Sequence, residues 1–405
     1  MSSTPHREAR PDGRSRLGLP RTVVFLGGVS LLTDASSEMI YPLLPAFLTG
    51  VLRAGPAILG LIEGVAETVA ALLKVVSGRL SDRLPRRKPL VVAGYGLSSL
   101  ARPLVALATG PAHVLVVRVL DRVGKGVRSA PRDALLAEVT AADQRGRAYG
   151  FHRAMDHAGA VAGPLLAAGA LLVTSDLRVV FALAAVPALL AMAALVFGVH
   201  EREREREPPR AEAAPRGTDG RKGSLSAYLA VLALFTLGNS SDAFLLLRAQ
   251  EVGVAVAAIP LLWAFHHLIK AAASTFGGTL SDRVGRRSTI LLGWGVYALA
   301  YAGFALARTP LAIVLLFAVY GLFHALTEGP ERAFVADLAA TTARGSAFGL
   351  FHAISGLMLL PASLLTGLLW QHFGAAVALG AGAALAAAAA AGLLLFVPEP
   401  SRTRG

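Results

Sequence analysis

The chain has 405 residues, of which 54% are hydrophobic and 16% charged, with a formal net charge of +13 and no cysteine. Soluble domains carry closer to ~25% charged residues, so a single water-facing core is excluded, and without cysteine there is neither a disulfide nor a thiolate metal site. The basic residues gather between apolar stretches, the pattern of cytoplasmic loops, and no basic helix with interleaved aromatics lies outside those stretches, which argues against nucleic acid as a partner.

A span needs about 20 apolar residues to cross ~30 Å of hydrocarbon. Twelve stretches qualify, at 22–48, 56–78, 89–109, 112–136, 146–173, 177–199, 225–249, 255–279, 288–307, 310–334, 345–370 and 374–397. The expected organisation is an N-terminal tail (1–21), a six-helix bundle (22–199), a linker (200–224), a second six-helix bundle (225–397) and a C-terminal tail (398–405). The tail holds Arg7, Arg10, Arg14, Arg16 and Arg21 and lacks a small-residue cleavage pattern, so it does not read as a signal peptide. Basic residues concentrate in that tail, in 79–88, 137–147, 200–224 and 280–287, and at Arg402 and Arg404; the intervening connections hold little beyond Arg53, Arg178, Arg248 and Arg308. Both termini and the linker are therefore expected in the cytoplasm. The linker opens Glu201-Arg202-Glu203-Arg204-Glu205-Arg206-Glu207, predicted to be a solvated continuation of the sixth span that Pro208-Pro209 stops. Arginine greatly outnumbers lysine and alanine is abundant, which points to a GC-rich bacterial genome and hence a prokaryotic inner membrane.

The string Gly78-Arg79-Leu80-Ser81-Asp82-Arg83-Leu84-Pro85-Arg86-Arg87 returns as Gly278-Thr279-Leu280-Ser281-Asp282-Arg283-Val284-Gly285-Arg286-Arg287, 200 residues later. Pro131-Arg132-Asp133-Ala134-Leu135, with Arg145-Gly146 and Tyr149-Gly150 after it, returns 199 residues later as Pro330-Glu331-Arg332-Ala333-Phe334, Arg344-Gly345 and Phe348-Gly349. Separate matches at one spacing indicate a duplicated unit, the construction of many secondary transporters. The fold class is therefore all-α and polytopic, with two homologous six-helix bundles around a central cavity.

These strings resemble those of the major facilitator superfamily. Gly278, Asp282, Arg283, Gly285, Arg286 and Arg287 match its hallmark loop between the second and third spans; Gly78, Asp82, Arg83, Arg86 and Arg87 match as well, with Pro85 in place of the second glycine. Gly150, Gly159, Gly163 and Pro164 have the spacing of the antiporter signature of its drug exporters, closing with Ala167-Ala168 instead of two glycines. Pro42 and Pro45 are similar to those exporters' Pro-x-x-Pro, and Arg122 and Gly126 fit a fourth-span Arg-x-x-Gln-Gly pattern with Lys125 in place of glutamine. The resemblance implies alternating access, a gate latch at Asp82, Arg83 and their repeats, and the twelve-span proton-coupled efflux antiporters as the nearest subgroup.

Ionisable groups within spans are costly and ask for a role. Asp34 and Glu38 lie four apart on the first span; Glu63, Glu67 and Lys74 share a face of the second; Arg118, Asp121, Arg122 and Lys125 share one of the fourth; and His152, Arg153, Asp156 and His157 follow on the fifth. The second half holds Asp242, His266, His267, Lys270, His324, Glu328, Glu331 and Arg332. Asp121 and Lys125 are predicted to pair, and Glu63 to neutralise Lys74 or an arginine. An arginine that swings towards or away from a carboxylate switches its proton off or on, so acids of the first, second and fifth spans opposite fourth-span arginines suggest proton handling in the first half and substrate fitting in the second. Adjacent His266 and His267 point to different helix faces, so no metal is expected, nor any cofactor. No nucleotide loop, nucleophile elbow or zinc spacing points to an enzyme. Small-molecule export against protons, proton-driven import of a nutrient, siderophore or organic acid, and a transporter-like sensor all stay open. Small-molecule substrate, protons and the bilayer are the expected partners, and a monomer suffices because one chain holds both repeats.

Overall fold

The computed structural model describes residues 18–140, 144–199, 201, 219–339 and 344–398. Most of both expected tails and the linker from 202 to 218 lie outside the described residues. The regular elements are helices. In chain order the long ones are α1 (Arg21–Val51), α2 (Pro56–Arg83), α3 (Lys88–Leu107), α4 (Pro111–Val139), α5 (Arg145–Leu171), α6 (Leu177–Gly198), α7 (Ser224–Glu251), α8 (Ile259–Val284), α9 (Arg286–Leu306), α10 (Pro310–Leu338), α11 (Arg344–Phe373) and α12 (Ala375–Phe396). By length and composition, nine of these stretches among the described residues suit a membrane span. The exceptions are α2, α4 and α5, which are 28, 29 and 27 residues long and carry most of the first half's charges.

Prolines in the first turn start α2, α4 and α10 at Pro56, Pro111 and Pro310, where the missing N–H costs no helical bond. The hallmark strings, expected as loops, are mostly helix: α2 runs to Arg83 and α8 to Val284. Apolar composition ends at the bilayer surface, but helical hydrogen bonding persists until something stops it. Leu84, before Pro85, is forced into extended backbone (ψ 142°) in the first copy. In the second, Gly285 takes φ 105°, open only to glycine at low cost. The helix of the sixth span ends before the charged run, of which 202–207 lie outside the described residues. Val199 turns extended after Gly198 (ψ 119°), and Glu201 is drawn sideways, its carboxylate accepting the N–H groups of Arg87 (2.7 Å) and Lys88 (2.6 Å) at the start of α3.

Two helices are interrupted at matching places. α1 tightens into a 3-10 turn at Tyr41–Leu43 and widens into a π-turn at Phe47–Val51; α7 breaks between Gly238 and Ala243. The breaks meet, with Tyr41 Oη 3.2 Å from Ser241 Oγ. Within the first half α1 packs on α5 and α6, and α4 on α2 and α3; within the second, α10 packs on α8 and α9, and α12 on α7 and α9. The halves meet chiefly through α2 against α11 and α5 against α8. The α2–α11 seam needs glycine: a Cβ on Gly60 would stand 2.2 Å from the Ser363 carbonyl oxygen, and one on Gly356 2.2 Å from Ala71 Cβ.

Candidate functional site

Arg87, buried, bonds Asp82 (3.3 Å) and Glu138 (2.7 Å). In the second copy the equivalent pairing belongs to Arg286, with Asp282 (2.5 Å) and Asp337 (3.5 Å). Lys88 donates to the carbonyl of Val196 near the end of α6 (3.2 Å), as Arg287 does to Leu393 (3.3 Å) and Leu394 near the end of α12. The partners therefore match at 199 residues after the turn, although Asp82 and Asp282 are 200 apart. One residue is missing from the second turn, so Arg87 corresponds structurally to Arg286 and not to Arg287. Gly78 and Gly278 lie within α2 and α8; Arg83 and Arg283 are exposed at the ends of those helices.

The charges of α2, α3 and α4 form one buried cluster. Arg118 holds Glu63 with two bonds, Nε to Oε1 at 2.9 Å and Nη2 to Oε2 at 2.8 Å. Asp121 accepts from Arg102 Nε (2.7 Å) and Arg122 Nη1 (3.0 Å), and Arg118 Nη1 stands 3.8 Å away. Arg122 Nε lies 2.7 Å from Glu67, while Arg102 also donates to the Thr33 carbonyl (2.8 Å) and so ties in α1. Three acids face three arginines, which is what makes such burial tolerable. The predicted Asp121–Lys125 pair does not form: Arg102 of α3 takes Asp121, and Lys125 has no carboxylate oxygen within 4.0 Å among the described residues. Glu63 finds an arginine, Arg118, and not Lys74.

On α1 and α5 the glycine spacing has a mechanical meaning. A Cβ on Gly159 would meet the Leu31 carbonyl oxygen at 2.4 Å, and one on Gly163 would meet that of Ala35 at 2.4 Å and Glu38 Cβ at 2.8 Å. These two glycines let α5 press on the turn of α1 that carries Asp34 and Glu38; Gly150 has open space, and Pro164 lies within the helix next to Gly163. Asp156 accepts from Ser30 and lies 3.5 Å from His152 Nδ1 and 3.7 Å from Arg153. Asp34, half-buried, has no hydrogen bond or ion pair among the described residues; its charged surroundings are Asp156, Lys125, Arg128 and Arg102.

Across the halves, Trp263 Nε1 of α8 donates to Glu38 Oε2 (2.7 Å), and the Tyr41 ring lies 5.4 Å from that of Trp263. The chain's other two tryptophans do the same for Glu331 (Trp294, 2.9 Å) and Glu251 (Trp370, 2.9 Å). Asp242, at the break in α7, accepts from Tyr320 (2.5 Å). Lys270 holds Glu328 (2.5 Å), with His324 Nδ1 at 3.5 Å. His157 of α5 stands among Lys270, Glu328, Arg153 and Asp156, and the His267 ring stands edge-on to Trp263 at 4.8 Å. His266 is buried, its Nδ1 3.2 Å from the Phe317 carbonyl oxygen.

Exposed Lys74, Arg153, Glu328 and Arg332 lie towards the ends of spanning helices that carry the repeated strings. Contact with lipid is costly for such groups. Towards the other end the halves touch through the Gly60–Ser363 approach, the Tyr41–Ser241 contact and the Glu38–Trp263 bond. Sequence reasoning missed Arg102, though it is the one charge in the 89–109 stretch, and Trp263, whose role depends on a helix from the other half.

The sequence profile of the Major Facilitator Superfamily matches residues 26–247 and again 224–405. An uncharacterized MFS-type transporter of Methanocaldococcus jannaschii is 36% identical over 360 residues, 87% of this chain and 89% of the relative. Multidrug resistance protein MdtH of Photorhabdus laumondii is 29% identical over 144 residues, 36% of each chain. A crystal structure of a POT family transporter in complex with 5-aminolevulinic acid superposes at a TM-score of 0.80 with 10% identity, covering 97% of this chain and 99% of that one. At that identity the likeness is one of fold.

Proposed function

The chain belongs to the Major Facilitator Superfamily and is a multi-pass membrane transporter; from that premise we propose that it exports a small organic compound from a prokaryotic cell in exchange for protons. Two six-helix bundles, 22–199 and 225–397, rock about the space between them, with both termini and the 200–224 linker in the cytoplasm. Asp82, Arg83, Asp282 and Arg283 latch the cytoplasmic ends. Glu38–Trp263 and Tyr41–Ser241 belong to the outer seal.

The observation that carries proton coupling is the bare carboxylate of Asp34. It sits where Gly159 and Gly163 bring α5 onto α1, and every other mid-span candidate acid already has a partner. Export is favoured by the glycine–proline signature of α5 and by the partial likeness to a multidrug resistance protein. Proton-driven import is the second reading, since the same site serves a symporter.

The test is proton flux in proteoliposomes of known insertion direction, under an imposed pH gradient, with a panel of cationic, neutral and anionic compounds. Compound-dependent proton counterflow is the expected result; co-directional flux puts the symporter first. Asp34→Asn is expected to leave compound binding but abolish its coupling to the pH gradient, and wild-type coupling in that variant removes Asp34 as the proton site. Asp82→Asn is expected to slow turnover more than binding.

A further inference from the structure

The acids and bases of the spanning helices are not equally occupied. Glu38 is taken by Trp263, Glu67 by Arg122, Asp156 by Ser30, Asp242 by Tyr320 and Glu328 by Lys270. Among the acids of the spanning helices Asp34 alone could receive a cation without sharing its carboxylate with an existing partner, and that carboxylate is the one assigned to the proton. The donors are bare by contrast. Neither Lys125 nor Lys74 has a carboxylate oxygen within 4.0 Å among the described residues, and buried ring nitrogens of His267 (both) and His324 (Nε2) have no hydrogen-bond partner. Around Lys125 stand Arg122, Glu67, Lys74 and Asp34. With Glu67 committed to Arg122, Lys125 and Lys74 are left as ammonium groups with no carboxylate oxygen within 4.0 Å among the described residues.

The two sets of bare donors are related by the repeat. Lys125 of α4 and His324 of α10 are 199 residues apart, as are Pro131 and Pro330 on the same helices, and His267 of α8 is the counterpart of Glu67 on α2. Between them runs the Glu38–Trp263 bond, with His267 against the indole and Lys125 among the charges around Glu38. Lys125 and His267 thus reach the Glu38–Trp263 bond from the two halves.

We propose that the cargo is a small organic anion, its carboxylate or phosphate group held by Lys125, with His267 and His324 donating from the facing half. This rests on the transporter reading above. Charge-assisted bonds to a carboxylate or phosphate are the strongest these donors make, and both groups present the same acceptor oxygens. An anion satisfies groups that are otherwise unmet, and it removes no existing partner.

Binding to the purified full-length protein, read by calorimetry without any gradient, tests the site apart from transport. The probes are matched sets on one apolar body: 3-phenylpropionate, its amide, 3-phenylpropylamine and phenyl phosphate, then the same sets with longer bodies. At least one acid is expected to bind about ten-fold or more tighter than its amide and amine, with Lys125→Gln removing that preference and Lys125→Arg keeping it within about three-fold. His324→Ala, away from the ion cluster, is expected to weaken the acid by about three-fold, which keeps the test informative if Lys125→Gln fails to fold. Tighter binding of the amine, acid binding unchanged in the folded Lys125→Gln and His324→Ala variants, or no acid binding up to ~10 mM overturns the proposal. Acid binding that depends on Lys125 without compound-dependent proton flux in proteoliposomes sinks the exchange reading and leaves the anion site standing.

Discussion

The two halves solve the same packing problem with different chemistry. In the first, α2, α3 and α4 are joined by Glu63, Arg102, Arg118 and Asp121. At the repeat positions, 199 or 200 residues on, stand Trp263, Tyr301, Phe317 and Tyr320, buried side chains of which Trp263 and Tyr320 stack with His266, Tyr301 stacks with Tyr297 and Phe317 stands edge-on to Phe304. An ion cluster is directional and fails sharply when one member is lost, because the remaining charge is stranded. An aromatic cluster spreads its energy over area and loses it by degrees. The same backbone frame therefore holds a brittle half and a tolerant one, and most of the candidate proton-handling charges lie in the brittle half.

The largest effect expected from breaking that contrast is Arg118→Met. It strands Glu63 and should cost about 3–5 kcal/mol in denaturant unfolding, most of it recovered in Glu63→Gln/Arg118→Met. A double variant no better than the single one would show that Glu63 is not the partner that matters. Tyr320→Phe, at the position equivalent to Asp121, leaves the ring in place and removes only the bond to Asp242; about 1.5–3 kcal/mol is expected. Gly285→Ala forces a side chain into φ 105° and should cost about 1 kcal/mol, with Pro85→Ala costing less because Leu84 is already in ordinary extended backbone. The smallest effect is at Gly150, where alanine has open space and should change stability by about 0.5 kcal/mol or less; Gly163→Ala should be clearly worse, and equal thermal melts would dissolve the distinction between the two glycines.

Much of the architecture was legible because duplication and hydropathy are one-dimensional signals. The repeated strings gave the frame, and hydropathy gave twelve stretches, of which α2, α4 and α5 are too charged to qualify as apolar spans among the described residues. Partner choice was not legible in the same way. Helical spacing puts Asp121 and Lys125 on one face, yet it says nothing of the neighbouring helix, and Arg102 reaches Asp121 from α3. Matching letters made Arg87 the counterpart of Arg287, whereas contacts with Glu138 and Asp337 pair it with Arg286; a one-residue deletion in a turn is invisible when arginines follow one another. Glu201 looked like part of a solvated helix because alternating charge carries no record of the two N–H groups that capture it. The bond from Trp263 to Glu38 spans 225 residues and depends wholly on how the halves meet.

The balance of the ion cluster has an electrical consequence. Glu63, Glu67 and Asp121 cancel Arg102, Arg118 and Arg122, so the cluster can shift within the membrane field without displacing net charge. A displaced elementary charge is worth about 2.3 kcal/mol per 100 mV, and a first half with unbalanced arginines would act as a voltage sensor whether or not it carried anything. Outside the cluster the electrogenic burden falls on charges without an ion pair among the described residues, Asp34, Glu38, Lys125 and Arg128 among them, and on whatever they hold. Transient charge movement after a voltage step in a clamped bilayer is then expected to carry no contribution from the cluster itself.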